Sequence, residues 1–396
     1  MKKLLLLFFV MISFSAFAEK APFFTNVYDF LPAPGQFVNT IPAYKAGDTK
    51  ADILSRVEEL ICGRYEEDDW GDIVMNYNPG MVSLGSFGGY VVVGFDHPVV
   101  NVKGEYDFQI FGNGFFSTGS VGSGSSEPGI VMVSYDANGN GIPDDAWYEL
   151  AGSEYNSPKT QHNFTITYYK PDENKVKTPD PVNKSIIDNT YIRWTSNDVN
   201  PDSVSGYVSK NSFHAQSYWP QWSEGETLTF SGTKLCNNAI DVSGQGVGWN
   251  QFCKDWGYVD NRPDFDPYSG TSYDPESMNR GFKIDWAVDA GGVPVNLPMV
   301  HFIKVYNAMN QTCGWLGETS TEVGGGIDFH PQAEAPTVVV GDVDGNGTKD
   351  VSDVTSLINI ILGEKPAGYN PVAIDVDSNG AVDVSDVTAL INMILE

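Results

Sequence analysis

The sequence predicts a mainly β protein, in which a β-sandwich or jelly-roll body is followed by a small α-helical module with two acidic loops. Two observations carry this prediction. The long central region is rich in Gly, Asn, Tyr and Trp and contains many short stretches of alternating polar and apolar residues, which is typical of sandwiches. The last 56 residues instead carry one acidic pattern twice, and each copy runs into a helical pattern.

The alternating stretches of the body predict short strands separated by turn-rich segments. One helix is expected at residues 51–63, where Ile53, Val57 and Ile61 fall on one face and Gly63 can end the helix. The stretches that predict strands are residues 90–93, 106–111, 130–135, 163–169, 227–230, 282–288 and 301–306.

The two acidic loops, residues 342–353 and 375–386, have the spacing of a calcium loop. Such a loop offers side-chain oxygens at positions 1, 3, 5, 9 and 12, a backbone carbonyl at position 7 and glycine at position 6, where Gly347 and Gly380 stand. Position 12 is Asp instead of the Glu of an EF-hand. The predicted Ca²⁺ ligands are Asp342, Asp344, Asn346, Thr348, Asp350 and Asp353 in the first loop, and Asp375, Asp377, Asn379, Ala381, Asp383 and Asp386 in the second.

Each loop leads into one amphipathic helix, which Ser352 or Ser385 is placed to cap. Neither helix can bury its apolar stripe alone, so the two loop-helix units are expected to pack against each other. The predicted stripes are Val354, Leu357, Ile358 and Ile361 in the first helix, and Val387, Leu390, Ile391 and Ile394 in the second.

This doubled arrangement resembles a type I dockerin, a calcium-dependent module that binds cohesin domains. The resemblance implies a cohesin-like partner, contacted through loop positions 10 and 11, which are Val351-Ser352 and Val384-Ser385 here. The two halves match each other, so either could dock. Where the family often has basic residues further along its helices, this chain has Ile358-Asn359 and Ile391-Asn392. The alternative is that the metal only folds a terminal cap.

The ends of the chain define its predicted organisation. Residues 1–18 combine two lysines, an apolar run and a terminal Ala-Phe-Ala, which predicts a secretory signal peptide. The body is expected at 19–327, a proline-containing linker at 328–340 and the dockerin-like domain at 341–396. We therefore expect a secreted protein, extracellular or associated with the cell surface, and no later apolar run predicts a membrane span.

Charge and cysteine content narrow the function further. The formal net charge of −28 disfavours nucleic acid and acidic membrane surfaces as partners. The four cysteines allow three full pairings, of which the short loop between Cys236 and Cys253 is preferred, and Cys62 is expected to be buried on its helix.

A third acidic loop lies in the body, directly after a strand pattern. Asp136, Asn138 and Asn140 have calcium-loop spacing, with Ile142 at position 7 and Asp144 at position 9. Position 12 is Trp147, so the last ligand would be Asp145 or a distant residue. A structural calcium is predicted, with a plain Asn-Gly hairpin turn as the alternative.

Five passages of the body resemble a family of secreted bacterial cell-surface proteins, common in gut Bacteroidetes, that have a jelly-roll body. The resemblance implies surface binding and nutrient capture more than a reaction. The passages are residues 88–115, 127–153, 206–222, 255–266 and 281–310.

Aromatic residues cluster in the second half of the body, and Trp and Tyr faces stack on sugar rings, so we expect a glycan site there or residues that fill the core. The predicted ligand contacts are Trp219, Trp222, Trp249, Trp256 and Tyr258.

No motif of a hydrolase or a phosphate-binding enzyme is present, so no catalytic residue is assigned. The sequence favours a protein that captures a glycan or another nutrient and is attached through a calcium-dependent module. One alternative is a polysaccharide-degrading glycoside hydrolase with a dockerin tail, for which Glu318 and Glu322, or Glu149 and Glu154, are acidic pairs on paper. A second alternative is a structural component of a surface assembly.

Overall fold

The computed structural model describes residues 20–67, 73–76, 80–265 and 274–396. The predicted signal peptide, residues 1–18, lies outside the described residues. The described chain is mainly β, with two helices at its C-terminal end, as predicted.

Short strands dominate the body. The strands are β1 (Asn26–Leu31), β2 (Arg64–Glu67), β3 (Ile73–Asn76), β4 (Val82–Ser83), β5 (Tyr90–Gly94), β6 (Val99–Val100), β7 (Phe108–Phe111), β8 (Phe115–Phe116), β9 (Ser123–Ser125), β10 (Gly129–Ser134), β11 (Trp147–Leu150), β12 (Gln161–Tyr169), β13 (Ile186–Ser196), β14 (Ser205–Asn211), β15 (Thr227–Lys234), β16 (Ala239–Asp241), β17 (Trp249–Phe252), β18 (Ala287–Val288), β19 (Met299–Val300), β20 (Phe302–Asn307), β21 (Glu322–Val323) and β22 (Gly325–Asp328). The α-helices are α1 (Lys50–Ile61), α2 (Val351–Ile361) and α3 (Val384–Leu395).

A six-stranded antiparallel sheet in the order β1-β5-β20-β10-β11-β18 forms the centre of the body. Successive side chains point to opposite faces of a strand, and both faces are apolar here. On one face, Val93 and Val131 join a core that also contains α1. On the other face, Ile130 and Tyr306 join a second core. The sheet is therefore covered on both sides.

The second core lies between this sheet and a four-stranded antiparallel sheet in the order β14-β13-β12-β15. Alternate residues of β12, Phe164, Ile166 and Tyr168, are fully buried and face the larger sheet. The two sheets approach closely at Gly232, where a Cβ atom would lie 2.9 Å from the ring of Tyr306. This face-to-face packing is that of a β-sandwich.

Helix α1 covers the opposite face of the six-stranded sheet. Thr49 caps its first turn, and Asp52 completes a reciprocal capping box. Ile53, Val57 and Ile61 are buried, so the stripe read from the sequence does face the core.

One predicted strand is wrong for most of its length. Residues 282–288 contain a 3-10 turn at Ile284–Trp286, and only Ala287–Val288 form a strand. The buried carboxylate of Asp107 accepts a hydrogen bond of 2.6 Å from the backbone N–H of Ile284, which holds that N–H away from a sheet ladder.

The preferred disulfide is also absent, because all four cysteines are free thiols. Cys236 accepts a hydrogen bond of 3.0 Å from the ammonium group of Lys254, whereas the Cys253 thiol is placed beside Ser126. Cys62 is buried at the end of α1, as expected.

The C-terminal helices pack on each other and on the body. Leu357 and Leu390 are fully buried in a cluster that continues into the first core of the body. The segment between the helices lies against the body, where the Gly368 N–H donates to the Pro294 carbonyl at 2.7 Å. The ammonium group of Lys365 lies 2.7 Å from the Asp289 carboxylate.

The predicted apolar stripes need one correction in each helix. In α2, Ile360 is buried and Ile358 is 40% exposed; in α3, Ile391 is 41% exposed. The helices meet the core over a narrower arc than the sequence pattern suggested, because part of each apolar face is left to solvent.

The difference between Leu357 and Ile358 can be tested directly. Leu357→Ala should destabilise α2 by about 2–5 kcal/mol because it opens a cavity in a fully buried site. Ile358→Ala is the matched control and should change stability by only about 0.5 kcal/mol. Hydrogen exchange of the α2 amides in the whole protein measures both, and equal protection in the two variants would contradict the packing.

Candidate functional site

Two groups of aspartates converge at the C-terminal loops. Carboxylate oxygens of Asp342, Asp344 and Asp353 lie within 4.8 Å of one another, and the same holds for the second loop. The second group consists of Asp375, Asp377 and Asp386. Six of the predicted metal ligands are thus brought together, in two equivalent sets.

The backbone of each loop is wound around its first aspartate. Gly347 has a φ of +89°, a left-handed conformation that glycine adopts at little cost, and its N–H donates to Asp342 at 3.0 Å. Gly380 has a φ of +84° and donates to Asp375 at 2.9 Å. The remaining predicted ligands, Asn346, Thr348, Asn379 and Ala381, lie on the same two turns.

Position 9 caps the helix that follows each loop, and its predicted role as a metal ligand stays a prediction. Asp350 is the N-cap of α2 and accepts a hydrogen bond of 2.7 Å from the Ser352 N–H, and Asp383 does the same for α3. These hydrogen bonds lower the pKa of both carboxyl groups. Ser352 and Ser385, the predicted caps, lie inside the helices. The free N–H groups at the helix starts donate to Asp350 and Asp383 instead.

Position 12 connects each loop to its helix. The fully buried carboxylate of Asp353 accepts from the N–H groups of Asp344 (3.0 Å) and Asp350 (2.9 Å). Asp386 accepts from the corresponding part of the second loop. Aspartate at position 12 therefore closes the loop and completes the capping box of the helix at once.

No ion pair among the described residues balances the charge at the centre of the first loop. Asp342 has one buried carboxylate oxygen without a hydrogen-bond partner, and burial together with the nearby Asp353 and Asp344 raises the pKa of this carboxyl group. A hard cation bound by oxygens would satisfy that atom and offset the repulsion. The donor set fits Ca²⁺.

The comparison with protein families decides the identity of this segment. Residues 340–395 match the family model of the Dockerin type I domain. The C-terminal segment is a type I dockerin-like module. Domains of this family bind Ca²⁺ and cohesins, and they occur in extracellular proteins. No curated protein matches the chain.

The dockerin-like module is thus a calcium-binding part of the chain. Within the residues that the structure describes, no helix is long and apolar enough to cross a membrane. The resemblance of the body to jelly-roll surface proteins stays a prediction.

The third loop of the body has the same local winding as the module loops. Gly139 and Gly141 are left-handed, with φ values of +68° and +72°, and the Gly141 N–H donates to Asp136 at 2.9 Å. Asn138 and Asn140 accept hydrogen bonds from the N–H groups two residues on. Asp144 instead accepts from the side-chain amides of both asparagines.

Asp145 occupies the place that position 12 has in the module. Its carboxylate accepts from the Ala137 N–H at 3.0 Å, as Asp386 accepts from the Val376 N–H at 2.7 Å. Of the two candidates for the last ligand, the local geometry therefore favours Asp145. The calcium site at Asp136, Asn138, Asn140, Ile142 and Asp144 stays a prediction.

The five aromatic residues predicted as ligand contacts do not share one surface. Trp219, 1% exposed, fills the core between the sheets, which is a correction to its predicted role. Trp222 stacks on Phe30 with ring centres 6.0 Å apart, and Trp249 lies on β17 with its indole N–H buried.

Trp256 and Tyr258 do come together, at a cavity of about 390 Å³. Trp256 is 46% exposed, and its ring centre lies 4.6 Å from that of Trp286. Tyr258 is buried, so it offers little surface to a ligand, and its hydroxyl accepts a hydrogen bond from the Glu154 N–H. Arg262, Arg280 and Glu276 supply charged groups on the wall. We call this the aromatic cavity.

A second cavity, of about 440 Å³, has an acidic floor and an apolar rim. Glu127, Glu318 and Glu322 line it, and exposed rim residues include Phe115, Phe213 and Trp315. We call it the acidic cavity. The sequence pair Glu318 and Glu322 therefore shares a cavity, whereas Glu154 does not line the cavity that contains Glu149.

The carboxyl groups at the acidic cavity are strongly perturbed. Burial raises the pKa of Glu127 to about 7 and that of Glu318 to about 8. Burial, with neighbouring carboxylates, also raises the pKa values of Glu322 and Asp260. Sequence reasoning missed Glu127 and Asp260, because nothing local marks either residue and only the fold brings them beside Glu322.

Removal of one loop carboxylate should remove one calcium ion. Asp342→Ala is expected to lower the calcium bound by the module by about one ion per chain and to increase hydrogen exchange in α2, since the loop and the helix share Asp353. Calorimetric titration of metal-stripped protein measures the stoichiometry. Glu364→Ala, an exposed acid between the helices, is the control and should bind as the wild type does. Unchanged stoichiometry in Asp342→Ala would reject this ligand set.

Proposed function

We propose that this is a secreted protein that captures a ligand with its β body and is attached to a cohesin-like partner through its C-terminal module. The observation that carries the proposal is the pair of equivalent aspartate clusters in the dockerin-like module. The predicted division into signal peptide, body, linker and module belongs to the same proposal.

The outer face of the module supports two equivalent docking sites. Each helix leaves an apolar stripe in solvent, on the side away from the shared core. In α2 the stripe is Val351, Ile358 and Leu362, and in α3 it is Val384, Ile391 and Leu395. Val351 is 72% exposed and Val384 is 69% exposed, so both predicted contact pairs are accessible. The absence of basic residues leaves these stripes apolar, so the partner surface should be apolar as well.

The two stripes predict that single changes are tolerated and double changes are not. Val351→Asp and Val384→Asp should each leave one docking face intact. Each single variant should therefore lose little affinity for a cohesin. The double variant should lose binding by at least about 100-fold, because both faces then place a charge against an apolar partner. Binding to a panel of type I cohesins, with calcium and after chelation, measures this.

The matched control is Val176→Asp, which changes an exposed body residue. If the double variant binds as the wild type does, the docking faces are elsewhere. If no cohesin in the panel binds in calcium, the attachment role is rejected while calcium binding stands.

For the body, we propose the aromatic cavity as the site of a glycan or a comparable nutrient. Trp256 presents a ring face at a cavity that also holds arginine and glutamate side chains, and this combination suits stacking on a sugar ring with directed hydrogen bonds.

Trp256→Ala should weaken glycan binding, because it removes the exposed ring on which the sugar would stack. A glycan array followed by calorimetry on any positive glycan measures the loss, expected to be about 10-fold or more. Trp315→Ala is the matched control, since this exposed tryptophan lines the acidic cavity instead. Loss of glycan binding in Trp315→Ala alone would show that the ligand binds at the acidic cavity instead.

Glycoside hydrolysis is the second candidate, since Glu318 and Glu322 line one cavity and their pKa values are raised. A paired acid and base is what such a reaction requires. Release of reducing sugars from a polysaccharide panel, lost in Glu322→Gln, would replace the capture proposal. If neither turnover nor ligand binding is found, the protein is best explained as a structural component of a surface assembly.

A further inference from the structure

We propose that Glu127, Asp260 and Glu322 form a divalent-cation site in the body, at the inner end of the acidic cavity. It is independent of the dockerin-like module and of the predicted loop at Asp136. The ion would be of the hard, oxygen-preferring class, and Ca²⁺ fits the chemistry of the donors.

The three carboxylates converge from separate parts of the chain. Their oxygen atoms lie within 4.8 Å of one another. Glu127 precedes β10, Asp260 follows β17 and Glu322 begins β21. An ion held among them would tie these three segments together.

Backbone and hydroxyl groups hold the carboxylates in place. Asp260 accepts from the N–H groups of Asn113 (2.8 Å) and Glu322 (2.9 Å). Glu127 accepts from the Ser320 N–H at 3.1 Å, and Glu322 accepts from the Ser320 hydroxyl at 3.0 Å. Each carboxylate oxygen can accept more than one contact, so the cluster keeps lone pairs for an ion.

A fourth acid gives independent support. Glu318 is only 4% exposed and lines the same cavity as Glu127 and Glu322. One of its oxygens accepts from the Gln36 N–H at 2.6 Å, and the other is buried and has no hydrogen-bond partner. A buried acceptor of this kind is costly unless something occupies the cavity beside it.

The described residues supply no compensating cation. Among the described residues, none of these four acids forms an ion pair with lysine or arginine. Among the described residues that line the cavity there is also no lysine or arginine. Buried carboxylates without a cationic partner must hold protons or bind a metal ion.

The donor set indicates the class of ion. The available groups are carboxylate and hydroxyl oxygens, which suit Ca²⁺ and Mn²⁺ and do not select Zn²⁺ or Cu²⁺. Because Glu127 and Glu322 line the cavity, one side of the ion would face it. A hydroxyl-bearing ligand could complete the coordination there.

The experiment compares the ion content of wild-type and substituted whole protein. Glu322→Gln keeps the shape of the side chain and removes its charge, so it should bind about one calcium ion fewer per chain than the wild type in equilibrium dialysis. Glu149→Gln changes a body acid outside the cluster and should bind as many ions as the wild type. If Glu322→Gln does not fold, Glu127→Gln takes its place.

A crystal of the wild-type protein soaked in Mn²⁺ gives a second readout that needs no variant. An anomalous peak among Glu127, Asp260 and Glu322 is expected, and it should persist in the Asp342→Ala/Asp375→Ala protein, whose module loops are impaired. No peak there in a crystal whose module loops are occupied would overturn the site and show that the cluster holds protons only. Equal ion counts in Glu322→Gln and the wild type would also overturn it.

Discussion

Repulsion between converging carboxylates is the constraint on which this molecule depends. The chain carries a formal charge of −28, and the fold still brings aspartates and glutamates within 4.8 Å of one another. Unit charges that close repel by several kcal/mol at the effective dielectric of a protein, about 4 kcal/mol at 4 Å. In the dockerin-like module, bound Ca²⁺ reverses the sign of this interaction. Folding and metal binding are then one equilibrium.

In the module, the acidic loops are linked to an exposed apolar surface. Asp353 and Asp386 each belong to a predicted metal loop and to the capping box of a helix, so the carboxylate that fixes the start of the helix is also a predicted ligand of the ion. Each helix then buries a leucine and leaves an apolar stripe outside. Binding of Ca²⁺ by these carboxylates would therefore couple the metal to the start of each helix and so to the exposed stripe.

The acidic loops of the module could be predicted because their residues lie within one short stretch of sequence, where spacing alone indicates how the chain turns. Helix α1 and most central strands were predictable for the same reason, since periodicity is local. Which aromatic residues are exposed could not be predicted. Trp219 and Trp256 look alike in sequence, and only the packing of the two sheets buries Trp219. Ile358 was predicted to be buried in place of Ile360, because the helical pattern does not show how wide the contact with the core is.

The acidic cluster of the body shows the limit of sequence reasoning most clearly. Glu127, Asp260 and Glu322 meet only because β10, the loop after β17 and β21 come together around the central sheet. The acids of a module loop are neighbours in sequence, whereas these three acids approach one another only in the folded body. Their repulsion therefore opposes the folded state, and a bound cation would offset it. Among the described residues, no lysine or arginine forms an ion pair with these acids, so a bound cation would supply the charge that balances them.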